Sequence, residues 1–205
     1  MIYIETPRLL LRDWSDADLP LFAAMNADPA VMEFFPGTLT PAESEAFYRR
    51  IRDEFADSGY GLYAVERKID GCFIGYTGLH RALFEADFTP CIEIGWRLCH
   101  AAWGNGFAPE AAAAVLDYAF GLLGMTEVCS FTAAVNLSSQ RVMEKIGMEP
   151  AGRFVHPSLP RESPLSEHVL YRARIGNPRE GKFSPGVGAG GRAGVCPQNS
   201  FFFKI

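Results

Sequence analysis

The chain has no excess of basic residues: 19 Lys and Arg stand against 24 Asp and Glu among 205 residues, a formal net charge of −5. Gripping a nucleic-acid backbone takes clustered Lys and Arg, so no nucleic-acid partner is expected, and a cationic partner is the better electrostatic match. No apolar run reaches the roughly 18 residues of a membrane-spanning helix. The start, Met1-Ile2-Tyr3-Ile4-Glu5, has neither the basic end nor the cleavage site of a secretory leader. No membrane association and a cytoplasmic location are therefore expected. The cysteines, at 72, 91, 99, 129 and 196, are odd in number and form no C-x-x-C. Neither a disulfide framework nor a zinc site is suggested, no metal is expected, and the thiols read mostly as small buried apolar groups. His80, His100, His156 and His168 fall on strands or strand edges without a recognisable carboxylate partner and read as structural. Missing too are the G-x-S-x-G elbow of serine hydrolases and the G-x-x-x-x-G-K-[ST] phosphate loop, and a dinucleotide G-x-G-x-x-G would need glycine where Pro109 stands.

What is present suits one enzyme-sized domain. A chain that is 48% hydrophobic and 13% aromatic can bury a substantial core. Periodicity predicts the order β-α-α-β-β-β-α-β-α-β-β. A first strand covers about Tyr3 to Trp14, and Ser15 to Asp18 caps a helix carrying Leu19, Phe22 and Ala23. Thr40-Pro41-Ala42-Glu43 is a capping box opening a helix with Phe47, Ile51 and Phe55 on one side, ended by Gly59. Asp70-Gly71 joins two strands as a hairpin. Further strands are expected near 92–98, 127–135, 149–156 and 167–174, with a short helix over Ser138 to Ile146 stopped by Gly147. Residues 1–175 form the predicted domain. From Gly176 the composition turns Gly- and Pro-rich, and the tail 176–205 is expected to be flexible and without a catalytic role, apart from docking through Phe201-Phe202-Phe203.

The most informative stretch is Trp103-Gly104-Asn105-Gly106-Phe107-Ala108-Pro109-Glu110-Ala111. It runs from the alternating strand Ile92 to Leu98 into an Ala-rich helix, with proline in the first turn, where a missing N–H costs nothing. Backbone N–H groups at such a junction lack helical acceptors, and the helix adds about half a positive charge there. An anion, phosphate above all, is the expected guest. Glycine at 104 and 106 permits φ > 0 and close approach of a ligand. The bland alternative is a tight turn that packs a helix on a sheet.

This stretch resembles the acyl-CoA pyrophosphate loop of GNAT N-acetyltransferases, in particular the group containing the ribosomal-protein N-terminal acetyltransferases, where the pattern W-G-x-G-x-A-x-E-A is met by Trp103, Gly104, Gly106, Ala108, Glu110 and Ala111. The longer pattern opens with Gln or Arg, and here that position is Ala101. The resemblance extends in order through Thr6-Pro7-Arg8-Leu9-Leu10-Leu11-Arg12, Asp28-Pro29-Ala30-Val31, Asn136-Leu137-Ser138-Ser139 with Gly147-Met148, and His168-Val169-Leu170-Tyr171, about residues 3 to 175. It implies an α/β (α+β) GNAT fold: a mixed, mostly antiparallel twisted sheet with helices on both faces and splayed central strands. It also implies acetyl-CoA as co-substrate, bound by Trp96, Arg97, Leu98, Trp103, Gly104, Asn105, Gly106, Phe107, Ala108 and Asn136. The expected assembly is a monomer or homodimer.

Acetyl transfer to an amine needs a bound CoA, a neutral amine, donors for a developing oxyanion and a proton for the departing thiolate. Strand parity sets Glu93 with Gly95 and Arg97, away from Ile92, Ile94, Trp96 and Leu98. Glu93 is then the group that helps to deprotonate the amine, a solvated strand carboxylate or a partner of Arg97. Gly95 is expected to mark the bulge that splays the strand. Ser139, on the inward side of its helix with Val142, Met143 and Ile146, is either the proton donor to sulfur or a capping serine; Ser138 could equally cap, and Asn136 is either a CoA contact or an N-cap. Phe34 and Phe35, with Glu85 and Asp87 on the loop Phe84 to Phe88, are either the acceptor wall for a cationic amine or a packed loop with a solvated charge pair. The favoured acceptor is the α-amino group of a protein N-terminus or of an amino-acid-like molecule. A polyamine or aminoglycoside amine, or a non-catalytic CoA-binding module, are the alternatives.

Overall fold

Pro7 divides what the periodicity reads as one long first strand. In the structure, a computed structural model that describes residues 1–176, β1 (Ile2–Glu5) and β2 (Leu9–Arg12) are separate antiparallel strands. Proline has no N–H to give to a ladder, and Thr6 closes the turn instead, its hydroxyl accepting from the Leu9 N–H at 2.9 Å. A short 3-10 turn capped by Ser15 leads into α1 (Leu19–Ala27). α2 (Pro41–Ser58) opens on the predicted capping box: the Thr40 hydroxyl accepts from the Glu43 N–H at 3.2 Å, and Glu43 accepts from the Thr40 N–H at 2.9 Å. Gly59 ends it in the left-handed conformation, φ 72°. There follow β3 (Leu62–Arg67), β4 (Cys72–Ala82), β5 (Cys91–Leu98), α3 (Phe107–Gly121), β6 (Glu127–Ala133), α4 (Leu137–Lys145), β7 (Glu149–Val155) and β8 (Glu167–Arg174). The Gly-rich segment from 177 onward, with Cys196 and the three phenylalanines, lies outside the described residues.

One sheet holds all eight strands in the order β1-β2-β3-β4-β5-β6-β8-β7. Every neighbouring pair is antiparallel except β5 and β6. That exception follows from the connection, because α3 carries the chain from the end of β5 back across the sheet before β6 begins. The parallel pair is also the least joined: Glu93 opposite Cys129 is its one paired position. The Ser130 hydroxyl donates to the Ile94 carbonyl at 2.9 Å, and beyond it the two strands part. Gly95 is not a bulge, since β4 and β5 pair without a shift from Gly75↔Leu98 to Ala82↔Cys91. The irregularity falls one strand over, between β3 and β4 at Val65/Glu66. There Gly75 takes φ 137°, and a Cβ would stand 2.2 Å from the Arg97 carbonyl oxygen.

With β5 regular, its parity holds, but both sides are covered. Ile94 and Leu98 pack with Val115, Leu116 and Ala119 of α3 and Met143 of α4. Opposite, α1 and α2 bring Phe22, Phe47 and Ile51 against Leu62, Ala64 and Tyr76. A third cluster, Ala82, Cys129, Phe131 and Leu170 with Phe84, Phe88 and Phe154, occupies the β6–β8–β7 end. The thiols are less buried than expected: Cys129 is buried, Cys91 and Cys99 are half-buried and Cys72 is exposed.

His156 and His168 adjoin this third cluster with ring centroids 5.0 Å apart, next to Phe131 and Phe154. Burial lowers both imidazoles; His156 falls to about 4, helped by repulsion from His168, and His168 falls despite its contact with the Ser166 carbonyl. Both folded values lie below the unfolded value of about 6.5, so the unfolded chain binds more protons in between and acid favours it. Thermal unfolding across a pH series should show stability falling as pH drops from about 6.5 towards 4. His156→Phe should flatten that slope.

Candidate active site

Where β5 and β6 part, a cavity of about 490 Å³ opens through the sheet. Its two halves belong to opposite faces. Ile94, Trp96 and Leu98, the loop 103–108, Ser130, Thr132, Asn136, Ser139 and Val142 line the half under α3 and α4, whereas Phe34, Phe35, Tyr76, His80, Glu93, Arg97, Phe131 and His168 line the half under α1 and α2.

On the α3 side the glycine loop has the backbone geometry that an anion cradle requires. Gly104 and Gly106 take φ 76° and 75°, and α3 starts at Phe107 with Gly106 as its N-cap. The N–H groups of Gly106, Phe107 and Ala108 have no acceptor among the described residues. A Cβ built on Gly104 meets nothing within 4 Å, so the space above the loop is open for an anion. The loop is pinned from below by Glu110, a residue read from the sequence only as part of a pattern. Its carboxylate accepts from the Thr6 hydroxyl at 2.6 Å, the Arg8 N–H at 3.1 Å and Arg8 Nε at 2.6 Å, while Arg8 Nη1 donates to the Asn105 carbonyl at 2.9 Å. The Asn105 side chain turns back onto the Ala102 and Trp103 carbonyls and away from any guest. The Trp103 indole donates to the Leu98 carbonyl at 2.9 Å, tying the loop to the end of β5.

Further along the same half, Asn136 caps α4. Its Oδ1 accepts from the Ser139 N–H at 3.1 Å and the Ser138 hydroxyl at 2.7 Å, and its Nδ2 donates to Thr132 Oγ1 at 3.0 Å and Ser139 Oγ at 3.2 Å. The Ser138 proton is thereby used. Ser139 Oγ, half-buried, receives a bond from Asn136, which leaves its own proton free to point into the cavity. Arg141 and Lys145, exposed on α4, line the mouth and add positive charge beside Ser139; the helical wheel alone sets them on the solvent side.

On the other side, Glu93 is 3% exposed, and it is neither solvated nor paired with Arg97. Its partner is His80, opposite it in the β4–β5 register, with His80 Nε2 standing 2.9 Å from Glu93 Oε2. His80 thus has the carboxylate partner that its place in the sequence did not reveal. Burial raises the Glu93 carboxyl, and the His80 charge only partly offsets it. For His80, burial disfavours the imidazolium, yet the charge and hydrogen bond of Glu93, with Glu54 behind it, outweigh burial and raise it.

Phe34 and Phe35 do wall this half, but Glu85 and Asp87 do not. Those two carboxylates are exposed and stand outside the cavity lining, because Phe84 and Phe88 of the same loop pack on Phe131 and Phe154. Arg97, expected to serve the CoA side, sends its guanidinium to the α1–α2 face, where Nη1 donates to Asn26 Oδ1 at 2.7 Å.

A side chain at 104 or 106 meets two costs: about 1–2 kcal/mol for a left-handed non-glycine backbone and occupation of the cradle. Gly104→Val and Gly106→Val should remove measurable acetyl-CoA binding in calorimetric titration while the fold, followed by circular dichroism, persists. Wild-type affinity in both variants would contradict the cradle.

Residues 8–149 match the family described as acetyltransferase (GNAT) domain. Over 154 residues the chain is 29% identical to the uncharacterized N-acetyltransferase YnaD of Bacillus subtilis (strain 168), spanning 75% of this chain and 86% of that protein. The crystal structure of a GNAT-family acetyltransferase from Bacillus anthracis matches with a TM-score of 0.70 and 25% identity, covering 84% of this chain and 98% of that one. RimL, a ribosomal-protein α-N-acetyltransferase solved in complex with coenzyme A, shares the fold with a TM-score of 0.70 at 13% identity over 85% of this chain and 98% of its own. With residues 8–149, more than half of the sequence, within the family's match, the chain belongs to the GNAT family of acetyl-CoA-dependent acetyltransferases.

Proposed function

We propose that the protein acetylates a primary α-amino group, on a protein N-terminus or an amino-acid-like molecule, with the backbone at 103–108 holding the CoA pyrophosphate and Glu93 and Ser139 moving the protons. The observation that carries this reading is the buried Glu93–His80 pair, set in the half of the cavity opposite the cradle, so that a donor and an acceptor entering from opposite faces meet at the parting of β5 and β6. Acetyl-CoA supplies the thioester carbonyl carbon. At that carbon a C–N bond forms and the C–S bond breaks. Glu93 receives the amine proton, and His80, held against it, disperses the charge. Ser139, oriented by Asn136, gives its free O–H to the sulfur as it departs and takes a proton back from water at the mouth of the cavity, while Glu93 releases its proton to solvent. The β5 edge beyond Glu93, unpaired with β6, offers main-chain groups to the pantetheine arm and to the carbonyl oxygen.

The preference for an α-amine follows from proton affinities. An α-amine loses its proton near 7.7–8.0 and a lysine near about 10.4, a difference of roughly 3–4 kcal/mol in freeing the lone pair at neutral pH. A single carboxylate raised by burial is a base matched to the easier task. The motif resemblance to the ribosomal-protein N-terminal acetyltransferases supports the same class. Competing an α-amino peptide panel against polyamines, aminoglycosides and internal-lysine peptides tests it, and a preference of about tenfold for any of the latter three overturns the α-amine assignment.

Glu93→Gln and Ser139→Ala should each lower kcat, by about 10²–10⁴-fold for Glu93 and less for Ser139, with little change in the KM for acetyl-CoA. In wild type, kcat/KM should fall on the acid side with a midpoint above the ordinary glutamate value of about 4.3. The His80 charge lowers Glu93, so His80→Asn should move that midpoint upward. Unchanged kcat in both Glu93→Gln and Ser139→Ala would remove these residues from the chemistry.

A further inference from the structure

Arg97 is a buried cation without an anion. It is 5% exposed and lines the acceptor half of the cavity, yet no carboxylate among the described residues lies within ion-pair distance of it. Among the described residues its guanidinium makes one hydrogen bond, from Nη1 to the neutral Asn26 Oδ1, and its buried Nε has no partner. The rest of its surroundings is aromatic: the guanidinium carbon stands 4.1 Å from the Phe35 ring centroid, 5.5 Å from Tyr76 and 5.8 Å from Phe47. Ring faces soften the burial of a cation, but a desolvated guanidinium gains most from a carboxylate in its fork.

Resting on the α-amine reading above, we infer that Arg97 is a specificity-determining residue for the acceptor: it receives a carboxylate carried by the amine substrate, while Glu93 and His80 take the amine end. The two ends lie on one face of one regular strand, because Tyr76, Gly78 and His80 of β4 oppose Arg97, Gly95 and Glu93 of β5. Gly95, midway between Glu93 and Arg97, lines the cavity and adds no side chain, and a Cβ built there would meet nothing within 4 Å, which leaves open space between the two ends. Four residues of strand separate the Cα atoms of Glu93 and Arg97 by about 13 Å. The matching acceptor is therefore a molecule whose carboxylate is several bonds from the reacting nitrogen, such as a short peptide with an acidic side chain or free C-terminus. Polyamines and aminoglycosides, cationic at both ends, would set a second positive charge against Arg97. The CoA pyrophosphate does not compete for this arginine, since its cradle opens on the other face of the sheet.

Acceptors that differ only as carboxylate and carboxamide test this directly. Wild-type kcat/KM is measured for Ala-Ala-Ala against its C-terminal amide, for Ala-Asp-amide against Ala-Asn-amide, and for 6-aminohexanoate against its amide. The expected result is a preference for the acid of about tenfold or more in at least one pair, the factor given by about 1.4 kcal/mol of charge-assisted binding. Arg97→Gln should collapse that ratio and Arg97→Lys should restore part of it. Asn26→Asp, which sets a carboxylate against Nη1 without changing the volume, should collapse it as well and serves if Arg97→Gln does not fold. Equal rates for acid and amide in wild type, or an acid preference that survives both Arg97→Gln and Asn26→Asp, overturns the inference. If only 6-aminohexanoate among these acceptors is acetylated, and faster than its amide, the α-amine reading fails while the role of Arg97 stands.

Discussion

The parting of β5 from β6 is the constraint on which the rest of the structure depends. A parallel pair joined at Glu93 and Cys129, with Ser130 reaching the Ile94 carbonyl, leaves the remaining length of β5 without a neighbour on that side. Unpaired main-chain groups inside a protein are costly, so an open seam of this kind persists where something else pairs with it. The seam is held open mechanically. β5 cannot swing away from β4, to which it is paired along its whole length, and β6 is fixed by β8 along all seven of its residues. Helices α3 and α4 on one face and α1 and α2 on the other brace the two halves.

Because the cavity crosses the sheet, its two mouths differ in chemistry. Under α3, the lining offers main-chain N–H groups, the positive end of a 15-residue helix and the flanking Arg141 and Lys145, all suited to an anion. Under α1 and α2, it offers aromatic walls and two buried ionisable centres at opposite ends of one strand face. The first, Glu93 with His80, shares a charge between partners; the second, Arg97, has an amide and ring faces only. Burial makes each of these groups responsive to what enters, because a charge that water does not screen interacts strongly with the next one.

Rigidity at the cradle comes from a distant part of the chain. Glu110 gathers four contacts from Thr6 and Arg8 in the β1–β2 turn, and Arg8 in turn holds the Asn105 carbonyl and covers the Phe107 ring at 4.6 Å. Glu110 has a side chain only 10% exposed, while Arg8 stays about half exposed, so the carboxylate gathers these contacts where water screens it least. The glutamate and the Thr-Pro-Arg turn that the motifs set a hundred residues apart are thus one physical unit, and Pro7, by forcing the turn, is what brings Arg8 to the loop.

Local rules were enough for the sequence to determine the capping box at Thr40, the stops at Gly59 and Gly147, the hairpin at Asp70-Gly71 and the glycine turn before α3, because each depends on the φ preferences and hydrogen bonds of a few adjacent residues. The same locality made Pro7 readable only in hindsight, since β periodicity continues on both sides of it. Strand parity correctly set Glu93 with Arg97, but whether that face met water depended on α1 and α2 packing over it. The pairing of His80 with Glu93, the choice of Asn26 for Arg97, the exclusion of Glu85 and Asp87 from the cavity and the seam between β5 and β6 were decided by tertiary structure alone. Each is a contact between segments whose separation along the chain carries no information about register, and register is set by the sheet as a whole, through the packing of every strand's buried side chains against both helical layers.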